Sequence, residues 1–301
     1  MLSIIICTYN REKYIYGVLQ SLAQNNFPTH LYEIVLVNNN STDATEEKCK
    51  AFQQDYPQVT FRYFIETNQG LSFARNRGIV EAQGDILVYV DDDAFVNTEY
   101  LSAYYELFTQ RREVYAAGGP IIPHYETEPP KWFSYFTREL ITCYLYQGNK
   151  IGKFKRKFPR GGNAAYRKEV FDKTGVFNVE LGRKGNNLVG AEEKDIFDKM
   201  TSLGMEILYI PNAILYHIIP ETKFTNSYFN NLTLSMGKSE RKRTLNISKT
   251  KYLKRLFSEM IKWGVSLVLC FSYILICAPQ KGFKLIVFRW NVTKGLLRIK
   301  N

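Results

Sequence analysis

The sequence has few of the features that mark secreted, disulfide-rich or phosphate-loop proteins. Its five cysteines are scattered, odd in number and without metal-ligand spacing, which predicts reduced thiols in a cytosolic compartment. The apolar stretch at the N-terminus is short and has no basic region before it, so we expect no signal peptide. No glycine-rich loop follows the first apolar run, which argues against a nucleotidyltransferase.

Acidic residues are scarce in the C-terminal part of the chain. Residues 238–301 hold 15 Lys and Arg but only 2 Asp and Glu, whereas residues 1–237 hold 25 and 27. The protein is therefore close to neutral, with a basic tail. Such a tail favours an anionic partner, which could be a membrane surface, a nucleic acid or a phosphorylated substrate.

The longest charge-free apolar run of this tail is short. It covers residues 263–278, which is sixteen residues against the roughly 20 that span a bilayer. We predict that residues 238–301 form a basic, apolar, helical tail on an anionic membrane surface, with Trp263 and Trp290 at headgroup depth. A buried helix or an oligomer interface is the alternative. Nucleic-acid binding is not expected, because the tail carries a continuous apolar run in place of interleaved basic and aromatic residues.

The first 120 residues alternate apolar strand patterns with helix patterns. Strands are predicted at 2–7, 32–38, 60–66 and 85–91, and helices at 11–26, 43–56, 70–84 and 97–112. This alternation predicts an α/β fold with a mostly parallel, Rossmann-like sheet and helices on both faces. A polar motif follows each strand: TYNRE, NNNSTD, ETNQG and DDDA. Because ligands bind at the carboxyl ends of parallel strands, we expect the four loops to meet at one edge.

Residues 120–237 are less regular. They contain a basic segment, Lys150–Arg160, with six basic residues in eleven positions. A helix is predicted near 189–204, and two short strands are predicted around a Pro-Asn turn at 211–212. The residues expected to face inward from that helix are Ile196, Phe197, Met200 and Leu203.

Three adjacent aspartates, Asp91, Asp92 and Asp93, follow the fourth predicted strand directly. Their carboxylates repel one another, and a divalent cation, which needs oxygen ligands, would relieve that repulsion. Alternation in an extended segment would send Asp91 and Asp93 to one side and Asp92 to the other. A solvated acidic turn that caps the next helix is the alternative from these residues alone.

The motifs, taken in order, resemble those of the inverting family 2 glycosyltransferases with the GT-A fold, bacterial surface-polysaccharide enzymes among them. They are ICTYNRE, VNNNSTD, NQGLSFARNRG, VYVDDDA, RGGNAAYRKEVF, GAEEKDIF and YHII. The resemblance implies a GT-A domain over 1–237, with a nucleotide-binding half at 1–119 and an acceptor half at 120–237, followed by the tail at 238–301. It also implies transfer of a sugar from a nucleotide-sugar donor, UDP by default, to a hydroxyl of a glycan or lipid-linked acceptor.

The resemblance assigns a divalent metal, Mg²⁺ or Mn²⁺, to Asp91 and Asp93, where it would neutralise charge on the leaving diphosphate. Asp93 is the favoured ligand, and Asp91 assists at the metal or the ribose. Asp92 is placed among the donor-binding residues. His217 matches a position where many relatives place a histidine near the metal; a core histidine on a strand is the alternative.

The general base is assigned to the acidic pair of GAEEKD. Glu193 aligns with the catalytic Asp of the family, and Glu192 aligns with the Glu before it. Such a carboxylate would take the proton of the acceptor hydroxyl as the hydroxyl attacks. Because Glu replaces Asp, the choice of base stays open, with Glu193 preferred. Acidic residues that stabilise a helix N-terminus are the alternative.

The donor-binding residues are assigned to the loops that follow the strands. They are Thr8, Tyr9, Asn10, Arg11, Asn38, Asn39, Arg75 and Asn76, together with Asp91 and Asp92. Asn38 stands where relatives usually place an Asp that contacts uracil. Arg75 suits a phosphate because its guanidinium forks onto two oxygens, with a surface salt bridge as the alternative.

The acceptor side is assigned to Gly161, Gly162 and Asn163, where two glycines let the backbone approach a sugar closely. We hypothesise that Lys155, Arg156 and Lys157 meet a phosphate; a solvated basic loop is the alternative. The sequence therefore predicts a metal-dependent glycosyltransferase at the cytoplasmic face of a membrane. A non-catalytic, membrane-associated binding protein and a nucleotidyltransferase are the competing interpretations.

Overall fold

The computed structural model describes residues 1–154, 158–184 and 191–298 and confirms the predicted α/β architecture. The strands are β1 (Leu2–Thr8), β2 (Tyr32–Asn38), β3 (Phe61–Ile65), β4 (Ile86–Val90), β5 (Ala94–Val96), β6 (Val114–Gly118), β7 (Ile121–Tyr125), β8 (Gly152–Lys153), β9 (Asn163–Arg167), β10 (Glu206–Tyr209) and β11 (Leu215–Ile219). The helices are α1 (Ile15–Ala23), α2 (Thr45–Asp55), α3 (Leu71–Glu81), α4 (Tyr100–Gln110), α5 (Tyr135–Thr142), α6 (Val170–Thr174), α7 (Glu192–Ser202), α8 (Asn226–Ile247), α9 (Lys249–Leu275) and α10 (Pro279–Leu297).

The main sheet has eight strands in the order β3-β2-β1-β4-β9-β6-β10-β8. β1 pairs in parallel with β2 and β4, whereas β9 runs antiparallel between β4 and β6. Successive residues of β1 enter different cores: Ile4 and Ile6 pack on one face of the sheet and Ile5 packs on the other. Burial on both faces explains why β1 is a continuous apolar run rather than an alternating one.

A second, smaller sheet has three strands in the order β5-β11-β7. β11 pairs antiparallel with β5, and His217 lies opposite Ala94. The N–H of Ile218 donates to the carbonyl of Asp93 at 2.9 Å. This pairing places His217 beside the acidic triplet. No local sequence pattern specifies that contact.

The chain divides into two compact units. One comprises Met1–His124, Cys143–Glu180 and Glu192–Ile218, apart from residues 155–157, and contains the main sheet. The other comprises Tyr125–Thr142, the described residues of 181–191, and the chain from Ile219 to Arg298. The predicted boundary at residue 238 therefore lies inside α8 and does not coincide with the division that the packing makes.

The second unit is built on three long helices. Ser248 caps α9 by accepting from the N–H of Lys251 at 3.0 Å. α8 and α10 approach closely where glycines face each other: a Cβ on Gly295 would lie 2.8 Å from the Cα of Gly237. The predicted helical tail is present, and it includes the N-terminal half of α8, which the sequence boundary excluded.

One predicted core residue is wrong. Ile196, Phe197 and Met200 are buried, but Leu203 is 55 % exposed. α7 ends at Ser202, and the chain turns at Gly204, whose φ is +68°. Leu203 therefore lies beyond the helical face that its spacing in the sequence predicted.

Candidate active site

The acidic triplet lies in a turn after β4, within reach of an arginine from the loop after β1. The Nε of Arg11 donates to Oδ1 of Asp92 at 3.0 Å, and its Nη2 lies 3.7 Å from Oδ2 of Asp93. β4 ends at Val90, so the strand alternation expected for the three aspartates does not apply. Asp92 and Asp93 instead share one guanidinium.

Burial makes the charged form of these carboxylates unfavourable. It raises the pKa of Asp92 to about 6, with Arg11 opposing the shift. Burial and the neighbouring Asp93 also raise the pKa of Asp91. Reciprocally, Asp92 raises the pKa of Arg11. The cluster therefore gains from any cation that approaches it.

His217 is buried beside the triplet, and its Nε2 lies 3.4 Å from Oδ1 of Asp93. Over 1–154, 158–184 and 191–298, no three His, Cys, Asp or Glu side chains form a metal-holding group. The Asp93–His217 pair nevertheless fits part of a Mg²⁺ or Mn²⁺ site, because such ions commonly take one or two protein ligands and complete their shell with substrate phosphates and water. The histidine therefore lies beside Asp93, and its role as a metal ligand stays a prediction.

The two glutamates of α7 are held by one buried arginine of α3. Nη1 of Arg75 lies 2.8 Å from Oε1 of Glu192, and Nη2 lies 2.7 Å from Oε1 of Glu193. The guanidinium also lies 5.4 Å from the ring centroid of Phe177 and 5.7 Å from that of Tyr89. Burial alone would lower the pKa of Arg75, but Glu193 and Glu192 raise it. Arg75 was expected to bind a phosphate or to form a surface salt bridge. In the structure it is buried and pairs with both Glu192 and Glu193.

The two glycines before β9, Gly161 and Gly162, lie against acidic side chains from the α7 pair and from the triplet. The N–H of Gly161 donates to Oε2 of Glu193 at 2.9 Å, and a Cβ on Gly161 would lie 1.8 Å from Oε1 of the same side chain. A Cβ on Gly162 would lie 2.0 Å from Oδ2 of Asp91. A side chain at either position would displace the acidic side chain that occupies its space.

The loops after β1 and β2 supply the remaining predicted donor residues. The Oγ1 of Thr8 is buried and has no hydrogen-bond partner among the described atoms, whereas Tyr9 is exposed. Asn10 has a φ of +53°, and its Oδ1 accepts from the N–H of Thr42 at 2.8 Å. Asn38 donates to the hydroxyl of Tyr63 at 2.7 Å. Sequence reasoning gave no indication of that tyrosine.

Two asparagines predicted to bind the donor, Asn39 and Asn76, make hydrogen bonds within the protein. Asn39 is buried, and its amide ties the chain after β3 through Glu66, Asn68 and Gly70. Asn76 exchanges two hydrogen bonds with the backbone of Phe177. These amides are occupied in holding loops together, so the structure gives Asn39 and Asn76 structural positions.

Asn163 is the clearest correction. It is fully buried, its Oδ1 accepts from Tyr100 and Tyr104 at 2.8 and 2.7 Å, and its Nδ2 donates to the carbonyls of Pro120 and Ala213. An acceptor sugar has no access to this amide. The predicted phosphate contacts of Lys155, Arg156 and Lys157 lie outside the described residues.

These features define a class: a mixed α/β fold with an acidic triplet after the fourth strand and an acidic pair at the start of α7. The chain belongs to glycosyl transferase family 2, whose model matches residues 3–175. The predicted family is therefore confirmed.

Two curated relatives and one solved structure illustrate the likeness. The glucosyl-dolichyl phosphate glucuronosyltransferase of Haloferax volcanii is 24 % identical over 71 % of this chain and 68 % of its own. The succinoglycan biosynthesis protein ExoM of Rhizobium meliloti is 24 % identical over 98 % of this chain and 92 % of its own. Several other curated relatives are longer, and the chain covers less than a third of them.

The mannosyltransferase PcManGT from Pyrobaculum calidifontis was solved with GDP-mannose and Mn²⁺. It has a TM-score of 0.65 and 16 % identity, over 99 % of this chain and 88 % of that one. At this identity the likeness establishes the fold, and the metal and nucleotide are properties of that protein.

Proposed function

We propose that the protein is an inverting, metal-dependent glycosyltransferase that moves a hexosyl group from a nucleotide-sugar donor to an acceptor hydroxyl. One observation carries the proposal: Gly161 and Gly162 bring Glu193 and Asp91 against the same two-residue segment. If the diphosphate of the donor lies at the triplet, its anomeric carbon would lie near the carboxylate of Glu193. This is the arrangement that direct displacement needs.

Glu193 is the proposed base, and Glu192 is the residue that holds Arg75. The side chain of Glu193 is 29 % exposed, whereas that of Glu192 is 4 % exposed. A base must touch the acceptor hydroxyl, and only the more exposed side chain is open to a substrate. The hydroxyl proton passes to a Glu193 oxygen as the hydroxyl oxygen attacks the anomeric carbon, and the nucleoside diphosphate leaves with the bonding electrons.

The donor is proposed to lie over the loops after β1 and β4. Asp93 and His217, with Asp91 beside them, would hold a Mg²⁺ or Mn²⁺ ion, which when bound neutralises charge that develops on the diphosphate. UDP is the nucleotide that the family resemblance favours, and Asn38 takes the place of the usual aspartate.

The acceptor is proposed to be a glycan or a lipid-linked saccharide at the cytoplasmic face of a membrane. The name of the Haloferax relative includes a dolichyl phosphate substrate, which is a lipid carrier. The basic tail of this chain suits an anionic surface. Both observations favour an enzyme that meets its acceptor at a bilayer.

The purified chain should be incubated with a panel of nucleotide sugars, with and without Mn²⁺, while nucleoside diphosphate release is measured. We expect Mn²⁺-dependent release from one donor. Asp93→Ala is expected to abolish release, whereas Glu193→Gln is expected to retain slow donor hydrolysis and to lose transfer. Turnover like that of the wild type in Asp93→Ala would refute the metal role.

A further inference from the structure

The side of α9 that faces away from α8 and α10 is apolar and uncovered. We define this outer face by Phe257, Met260, Ile261, Val265, Val268 and Phe271, all of them exposed. Met260 is 70 % exposed and Phe271 is 63 % exposed. At 100° per residue the six side chains fall on one side of the helix, whereas Glu259, Ser266 and Cys270 on the other side are buried. Exposed apolar surface of this extent marks an interaction site.

By its length and apolar composition, α9 could cross a membrane. No other helix in the described part of the chain is both long and apolar enough to do so. Only 17 % of its apolar window is buried. The helix is therefore not the core helix of a soluble unit, and something outside the described residues is needed to shield it from water.

The acidic side chains of α8, α9 and α10 lie away from the outer face. Glu259, one of the two acids in these helices, is 3 % exposed and pairs with Arg255 at 2.8 Å and with Arg289 at 3.1 Å. The other, Glu240, pairs with Arg243 at 3.1 Å and with Arg255 at 3.3 Å. The acids are thus neutralised along the inner seam between the helices.

Four lysines remain on α9, and all are exposed: Lys249, Lys251, Lys254 and Lys262. At 100° per residue Lys254 falls within the outer face, and the other three lie beside it. The outer face therefore combines exposed apolar side chains with positive charge and carries no carboxylate of its own helix. An anionic lipid surface complements both properties, whereas a second copy of the chain would bring like charges together.

We infer that α9 lies in the plane of an anionic bilayer, with its outer face in the headgroup and upper acyl region and its lysines on the lipid phosphates. The inference deepens the membrane location proposed above, but it does not depend on sugar transfer. An in-plane orientation is favoured over a spanning one because Glu259 and Lys262 lie near the middle of α9, where Glu259 also pairs with Arg289 of α10. A spanning helix would carry those charges into the hydrocarbon.

Co-sedimentation with vesicles tests the surface, with no donor or acceptor present. We expect the full chain to bind phosphatidylcholine vesicles that contain phosphatidylglycerol, and to bind pure phosphatidylcholine more weakly. Phe257→Asp and Phe271→Asp are each expected to weaken binding by at least about tenfold. Lys254→Glu is expected to weaken binding to the anionic vesicles by at least about fivefold, the effect of one surface cation.

Matched controls separate this face from a general change of charge or apolarity. Val80→Asp replaces an apolar residue by Asp at a 75 % exposed position of α3 and is the control for the Phe variants. Lys48→Glu reverses the charge of an exposed lysine of α2 and is the control for Lys254→Glu. Both controls are expected to bind like the wild type. Circular dichroism and thermal unfolding verify that each variant folds. Binding of Phe271→Asp equal to that of the wild type, no binding of the wild type to anionic vesicles, or a dimer that protects these side chains would overturn the inference.

Depth measurements distinguish lying from spanning. Nitroxide labels are placed at Phe257→Cys and Phe271→Cys in a chain whose other cysteines are replaced by serine. The two positions are separated by about 21 Å along the helix, at 1.5 Å per residue. An in-plane helix gives nearly equal depths, whereas depths that differ by most of that length would show a spanning helix and refute the proposed orientation.

Discussion

Replacement of Arg75 is the sharpest test of how the site is built, because one guanidinium holds both glutamates of α7. Arg75→Gln removes the charge and the fork, whereas Arg75→Lys keeps a charge that cannot reach both carboxylates in the same geometry. We expect both variants to impair transfer, the glutamine variant more strongly. The effect arises through Glu193, so Arg75 is a positioning residue.

The structure sets the expected magnitudes. Arg75 and Glu192 are both buried, with 4 % of each side chain exposed, and removing one partner of a buried ion pair costs about 3–5 kcal/mol. Arg75→Gln is therefore expected to lower the free energy of unfolding by about that amount. Glu193 would keep its hydrogen bond from Gly161 but lose the guanidinium, and a displacement of about 1 Å lowers a rate by about 10²-fold.

Transfer rates measured as a function of pH separate positioning from loss of stability. Glu193 and Glu192 raise the pKa of Arg75, which shows that the charged forms of the three groups stabilise one another, and a base must be ionised to accept a proton. Without the guanidinium, the acidic limb of the pH–rate profile is expected to move to higher pH, so the gap to the wild type narrows as the pH rises. Destabilisation alone would lower the rate without moving the limb.

Two further variants make the interpretation specific. Arg77→Gln, on the same helix, breaks a partly exposed pair with Glu81, and is expected to change stability by less than about 1 kcal/mol and to leave the profile unchanged. Arg75→Gln combined with Glu192→Gln is expected to recover stability but not transfer. A profile for Arg75→Gln that overlays the wild type would contradict the reasoning.

Three other changes test the surroundings of the site. Gly161→Ala is expected to lower transfer by at least about tenfold in kinetic assays, because its Cβ would displace Glu193. At Gly17 a Cβ would have no atom within 4 Å, so Gly17→Ala is expected to stabilise α1 by about 0.5–1 kcal/mol in urea unfolding. Asn163→Ala is expected to lower the free energy of unfolding by about 3 kcal/mol or more in urea unfolding, since it leaves buried hydroxyls and carbonyls unpaired, and a smaller loss would contradict its structural role. Loss of hydration raises the pKa of Cys7 to about 12, so maleimide at pH 8 is expected to modify the partly exposed Cys7 more slowly than the exposed Cys277, and equal rates would contradict that shift.

Much of the fold could be predicted because it follows from local patterns. The apolar run of β1 and the spacing of Val18, Leu19 and Leu22 on α1 specify their elements through neighbouring residues alone. The position of the acidic triplet at the end of β4 was predicted on the same basis. Where the chain ends an element by a turn, as at Gly204 after α7, the periodic pattern gave the wrong side for Leu203.

The roles of polar side chains were less predictable, since an amide carries the same donors and acceptors whether it binds a ligand or a loop. Asn39, Asn76 and Asn163 matched ligand-binding positions, yet each spends its hydrogen bonds on the protein. Arg75 suited a phosphate for the same reason that it suits two carboxylates. Only the identity of the neighbours distinguishes these roles.

Local patterns specify the alternation of strands and helices, the carboxylates after β4, and a tail with apolar and basic residues but almost no acids. The tertiary structure decided what meets what: it brings Glu192 to Arg75 across 117 positions, His217 to Asp93 through the pairing of β11 with β5, and the acids of the tail to its inner seam. The physical reason is range. Periodicity and composition act between near neighbours, whereas these contacts depend on strand order and helix packing, which the whole chain settles together.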